Sequence, residues 1–72
     1  MSDLPSGQEW IAGFAARLGV EPPDEATIEA LLDLAGVAAH ASERIAAPIA
    51  CYLVGRAGIT VAEGRAHADA PA

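Results

Sequence analysis

Residues 25–42 place apolar side chains at helical spacing, and no other segment constrains the fold of this chain as strongly. When these residues are set at steps of about 100°, the apolar ones form one continuous arc of about 220°. The arc contains Ile28, Ala30, Leu31, Leu32, Leu34, Ala35, Val37, Ala38, Ala39 and Ala41. A helix on the surface of a globular domain needs a stripe about half as wide. The pattern therefore predicts a helix at the centre of a bundle or in an interface.

Capping signals mark the ends of the first two helices. Ser6 and Glu9 have capping-box spacing, in which each side chain accepts the backbone N–H of the other residue, so the first helix should begin near residue 7. Gly19 is a suitable end, because glycine adopts the left-handed conformation without a steric penalty. Asp24 is the predicted N-cap of the second helix.

A third helix and a weak fourth helix follow. Pro48 suits a first helical turn, where its missing N–H has no partner, so the third helix is predicted over residues 47–57. Thr60 and Glu63 repeat the capping-box spacing and predict a short fourth helix that lacks large apolar anchors. We therefore expect an all-α fold, a small bundle of three helices with a weak C-terminal fourth.

The composition limits this fold to one small domain with a thin core. Leu, Ile, Val and Phe account for 16 of the 72 residues, and alanine accounts for 18. That large-apolar share is just above the level of about 20% below which charged chains tend to remain disordered. We predict a single domain over residues 6–64, a disordered N-terminus over 1–5 and a frayed tail over 65–72. A core this thin favours association with a partner.

The large apolar residues have two interpretations. Trp10 and Tyr52 are most simply core anchors, because aromatic side chains supply the largest buried areas. Alternatively, they are exposed at an interface with a partner. The candidate interface residues on the second and third helices are Leu34, Val37, Ala41 and Tyr52.

Charge and cysteine content narrow the environment and the partners. The formal net charge is −6, with four arginines and no lysine, so a nucleic-acid partner is not expected. The longest uncharged run, residues 45–55, is about half of what a membrane span needs. The N-terminus has no apolar signal core, and the single Cys51 cannot form an internal disulfide. These features indicate a cytoplasmic protein that does not enter a membrane.

Residues that could carry chemistry are few. The sequence has no phosphate-binding glycine loop, no H-E-x-x-H, no C-x-x-C and no G-x-S-x-G motif. His40, Cys51 and His67 lack the helical pairing of metal ligands. We therefore expect no catalytic residues, no metal and no cofactor, and a protein that is not an enzyme.

His40 and Arg44 form the sharpest polar feature, four residues apart and just before the third helix. Together with the N–H groups of Ile49 and Ala50, they could bind a phosphate-type anion. A structural role is the simpler interpretation: both would stabilise the C-terminal turn of the second helix, with Arg44 reaching an acid such as Asp33 or Glu43. Contact with a partner chain is a third interpretation.

An ordered set of short motifs over residues 10–55 resembles the pattern of a known family. It comprises Trp10, Leu18-Gly19, Leu31-Leu32-Asp33-Leu34-Ala35, Ala39-His40, Arg44, Ala46-Ala47-Pro48-Ile49 and Leu53-Val54-Gly55. The chain resembles a small actinobacterial family of unknown function, found alone or fused C-terminal to molybdenum-cofactor guanylyltransferase-like proteins. The resemblance implies a link to molybdopterin-guanine dinucleotide biosynthesis, but it supplies no catalytic residues.

These observations favour a non-catalytic helical interaction or accessory module associated with molybdenum-cofactor biosynthesis. Its expected partner is a second copy of itself or a molybdopterin nucleotidyltransferase-type protein. The alternative is a small domain that binds an anionic ligand through His40, Arg44 and Ile49.

Overall fold

A computed structural model describes residues 4–69 and shows four helices and no strand within that range. The all-α prediction is confirmed. The helices are α1 (Gly7–Leu18), α2 (Glu25–Ala41), α3 (Ala46–Ala57) and α4 (Val61–Asp69).

Local capping groups begin and end α1 and α2 as the sequence predicts. The Oγ of Ser6 accepts the Glu9 N–H at 3.1 Å, and the Glu9 carboxylate accepts the Ser6 N–H at 2.8 Å. Gly19 ends α1 with a φ of 76° and donates its N–H to α1 carbonyls. Asp24 caps α2 by accepting the Thr27 N–H at 2.8 Å.

The C-terminal part of the chain is more regular than the sequence indicates. Gly58 ends α3 in the left-handed conformation, and Thr60 and Glu63 form a second capping box at the start of α4. Helix α4 continues through Asp69, so the described part of the tail that was expected to fray is helical. Residues 70–72 of that tail and residues 1–3 of the N-terminus lie outside the described range.

Helix α4 is held by small and charged groups instead of large apolar ones. Gly64 is buried, which lets α4 approach Val54 of α3 closely. The Arg65 guanidinium forms ion pairs with Asp33 of α2 and with Asp69. Neither contact involves a periodic row of apolar residues, so the hydrophobic pattern of the sequence does not predict how α4 is held.

Helix α2 lies at the centre, and both α3 and α4 pack against it. Leu34 and Ala38 on α2 are buried. Helix α1 makes no extensive contact with the other three helices. The Cα radius of gyration is 13.5 Å, whereas a compact domain of this length has about 11 Å. The molecule is therefore elongated, measuring 42 × 29 × 18 Å.

The prediction that Trp10 and Tyr52 anchor the core is wrong. Trp10 is 52% exposed and Tyr52 is 61% exposed. Trp10 is exposed because α1 has no broad contact with the rest of the fold. On α3, it is the opposite side that is half-buried, and it consists of Ala46, Ala47, Ala50, Cys51 and Val54.

Candidate interaction surface

Seven of the eleven large hydrophobic side chains exposed between residues 4 and 69 form two rows. The α1 stripe consists of Trp10, Phe14 and Leu18, which are spaced by four residues and share one side of α1. The α3 stripe consists of Ile45, Ile49, Tyr52 and Leu53, which share the side of α3 that faces away from α2. Helical periodicity aligns the residues of each stripe on one side of its helix. The stripes are exposed because no other described helix covers those sides.

The α1 stripe is organised by aromatic contacts. The rings of Trp10 and Phe14 stack with their centroids 5.0 Å apart and their planes at 24°. The Arg17 guanidinium lies 5.9 Å from the centre of the Phe14 ring, within the range of a cation–π contact. These contacts hold two large flat side chains side by side, so α1 presents an ordered apolar surface.

The α3 stripe extends from the N-cap of α3 to Leu53, and the charged residue Arg56 follows it. Ile45 lies at the N-cap of α3 and Ile49 one turn later, followed by Tyr52 and Leu53. Arg56 lies one turn after Tyr52, with its Nη1 3.5 Å from the tyrosine hydroxyl oxygen. The α3 stripe therefore contains an aromatic residue and lies beside an arginine, two residue types that are enriched where proteins associate.

Only part of the predicted interface set lies at the surface. Leu34 is 1% exposed and is the most buried large side chain between residues 4 and 69, so its assignment to an interface is wrong. It is buried because α3 and α4 both pack on α2. Val37 is half-buried, whereas Ala41 and Tyr52 are exposed.

His40, Arg44 and Ile49, the candidate anion ligands, are all exposed. The N–H groups of Ala46 and Ala47 at the start of α3 already donate to the carbonyls of Glu43 and Arg44, at 2.9 and 3.1 Å. Pro48 has no N–H to offer, so the first turn of α3 leaves few donors for an anion. No cavity that could enclose a small molecule lies within the described part of the chain.

Arg44 does not form the ion pair expected for it. Asp33 pairs with Arg65 instead, and Arg44 has no ion pair within residues 4–69. His40 lies in the last turn of α2, as expected for a residue that interacts favourably with the helix dipole.

The shifted acid groups belong to the helix caps. Hydrogen bonds from the Thr27 hydroxyl and backbone N–H lower the pKa of Asp24. Hydrogen bonds from the Thr60 N–H and hydroxyl lower the pKa of Glu63. Both shifts are explained by capping, because the hydrogen bonds favour the ionised carboxylate.

The remaining candidate residues for chemistry, the possible metal ligands and Cys51, do not form a site within the described residues. No group of three His, Cys, Asp or Glu side chains between residues 4 and 69 is arranged to hold a metal ion. Cys51 is half-buried, with its Sγ 3.9 Å from the Leu31 carbonyl oxygen. Over the same range, no helix is both long enough and apolar enough to cross a membrane.

Fold and surface together define a class: a small all-α domain that carries uncovered apolar stripes on two helices. The chain belongs to the family described as a domain of unknown function (DUF6457), which matches residues 2–72. No curated protein and no solved structure matches the chain significantly.

Proposed function

We propose that this chain is a non-catalytic helical association module. The observation that carries the proposal is the imbalance between buried and exposed apolar residues. Eleven large hydrophobic side chains are exposed in the described structure, whereas Leu34 alone is fully buried among the large ones. Contiguous exposed apolar surface of this kind marks association sites in soluble proteins.

The biological context of the proposal comes from the family resemblance and is a cytoplasmic role in molybdenum-cofactor maturation in actinobacteria. In that context the module would dock on a molybdopterin nucleotidyltransferase-type protein, through the α3 stripe. A gene for such a protein beside the gene for this chain would support the link.

Isothermal titration of the purified chain into such a nucleotidyltransferase tests the proposal. We expect saturable binding with a negative heat-capacity change, because apolar surface is removed from water. Replacing Ile49 on the α3 stripe by glutamate, Ile49→Glu, should weaken binding at least about tenfold. Leu32→Glu is the matched control, because Leu32 is equally apolar and exposed but lies on α2. Absence of binding, or equal binding by both variants, would overturn the docking proposal.

An anion-binding domain is the second candidate. Its support is that the exposed side chains of His40 and Arg44 lie one turn apart, and that neither side chain has a hydrogen-bond or ion-pair partner within residues 4–69. Millimolar phosphate should then shift the backbone NMR signals of His40, Arg44 and Ile49. Unchanged signals at these three positions would exclude this candidate.

A further inference from the structure

We propose that the uncovered surface is completed by a second copy of this chain, with α1 of each copy lying on the α3 stripe of the other. The inference rests on the proposed association function and names a second copy as the partner. Because both would use the α3 stripe, the second copy and a nucleotidyltransferase would compete for it. Four observations carry the inference: the total accessible surface, the isolation of α1, the match between the two stripes and the placement of charge.

The chain exposes more surface than a folded monomer of its size. Its accessible surface is 5707 Å², whereas about 4,200 Å² is expected for a monomer of 7.3 kDa. The excess of about 1,500 Å² is larger than the roughly 800 Å² per partner that a standard stable interface buries. A dimer interface of standard size would therefore remove about half of this excess from each copy.

Helix α1 needs a surface to pack on. It has 12 residues, a length at which an isolated helix in water is marginal. No other helix of its own chain covers it broadly, and among its described residues Ala15 alone is buried. The connection back to α2 is held by the left-handed Gly19 at one end and the Asp24 cap at the other, with Pro22 and Pro23 between them. Proline fixes the backbone angle φ, so this connection restricts the movement of α1 relative to α2.

The two stripes match in length and character. Helices α1 and α3 each have 12 residues, and each presents one apolar row. Every copy therefore offers one arm, the α1 stripe, and one receiving surface, the α3 stripe. Two copies related by a twofold axis use both arms and both surfaces, so the assembly closes as a dimer.

The charges favour an antiparallel contact. Arg17 lies beside the C-terminal end of the α1 stripe, and Arg56 lies at the C-terminal end of the α3 stripe. A parallel arrangement would bring these two arginines together. The antiparallel arrangement separates them by the length of the helices and brings Arg56 towards Glu9 of the second copy. Arg17 then lies near both Glu43 and Arg44, whose opposite charges offset each other.

Light scattering after size exclusion, from low micromolar to high micromolar concentration, tests the dimer. The wild-type chain should have twice its 7.3 kDa mass, and the emission of Trp10, the single tryptophan, should shift to the blue as the dimer forms. Phe14→Glu breaks the arm and Tyr52→Glu breaks the receiving surface, so each variant should be monomeric while the chain keeps most of its helical circular dichroism. Leu32→Glu, outside both stripes, should remain dimeric.

Mixing the two monomeric variants tests whether α1 of one copy packs on the α3 stripe of the other. The Tyr52→Glu copy keeps an intact arm and the Phe14→Glu copy keeps an intact receiving surface, so the mixture should form a heterodimer through one of the two contacts. A symmetric contact between two α3 stripes would instead leave Phe14→Glu dimeric and would overturn the arrangement, as would a mixture that stays monomeric.

The dimer and the docking proposal can fail separately. A wild-type chain that is monomeric at every concentration yet binds the nucleotidyltransferase would overturn the dimer and leave the docking proposal standing. If the chain forms the dimer through both stripes but does not bind the nucleotidyltransferase, the docking proposal is overturned and the dimer stands.

Discussion

Gly64 is a residue at which α4 closely approaches α3. A Cβ atom placed on Gly64 would lie 2.5 Å from one methyl group of Val54 and 3.1 Å from the other. Glycine weakens a helix by about 1 kcal/mol relative to alanine. Its presence inside α4 is therefore explained by the close approach of a neighbouring helix.

Gly64→Ala should lower the free energy of unfolding by about 1–3 kcal/mol, because the strain of the added methyl group exceeds the gain in helix propensity. Gly13→Ala is the matched control. It is also inside a helix, but nothing lies within 4 Å of its added Cβ, so it should raise stability by up to about 1 kcal/mol. Urea denaturation of both variants measures the difference. If Gly64→Ala is at least as stable as the wild type, α4 does not pack against Val54 as described.

Single residues also show which contacts a sequence can reveal. The capping pairs could be predicted because their partners are three residues apart, so their geometry depends on one turn of chain. The pair between Arg65 and Asp33 joins residues 32 positions apart on different helices. Its existence depends on how α4 lies on α2, and periodicity within each helix carries no information on that.

At the level of helices, α4 depends on its capping box because it has little apolar surface. Thr60→Ala removes the hydroxyl that accepts the Glu63 N–H at 3.1 Å. We expect a loss of about 1 kcal/mol in the free energy of unfolding, as for other N-cap substitutions. Helical circular dichroism during urea unfolding measures it, and an unchanged midpoint would contradict the role of the cap.

The same box should make α4 sensitive to acid. The folded structure lowers the pKa of Glu63 below its ordinary value of 4.5 through hydrogen bonds from Thr60. The contribution to stability is therefore complete above that ordinary value and is lost as the pH falls through the lowered value. Glu63→Gln keeps a side chain that can accept the Thr60 N–H but does not titrate in acid. The difference in stability between wild type and Glu63→Gln should shrink from neutral pH to pH 3, and a constant difference would contradict this prediction.

Helix boundaries and helix environment differ in how far the sequence determines them. The start of α1 and the ends of α1 and α3 agree with the prediction because capping residues and glycines set them locally. The environment of Trp10 differs from the prediction, because α1 has the same amphipathic pattern whether it packs on its own chain or on another. A helical pattern identifies the apolar side but not what covers it.

For the whole molecule, the wide apolar arc of α2 has a partial explanation. Helices α3 and α4 pack on α2 and bury Leu34 and Ala38, which confirms the central position predicted for α2. Leu32, within the same arc, remains 67% exposed. The arc is therefore wider than two packed helices cover, and the chain as a monomer retains apolar surface on α1, α2 and α3.

If that surface is covered by a second copy, stability must depend on protein concentration. Unfolding of a dimer releases two chains, so a tenfold rise in concentration should stabilise the folded dimer by about 1.4 kcal/mol. For a domain of this size, the thermal midpoint should rise by several degrees. Thermal scans of the wild type at a series of concentrations measure this slope, with Leu32→Glu expected to keep it. Tyr52→Glu should unfold at a midpoint that does not change with concentration and that lies below the wild-type values. A wild-type midpoint independent of concentration would mean that folding does not require a second copy, and the apolar stripes would then be left for a different protein.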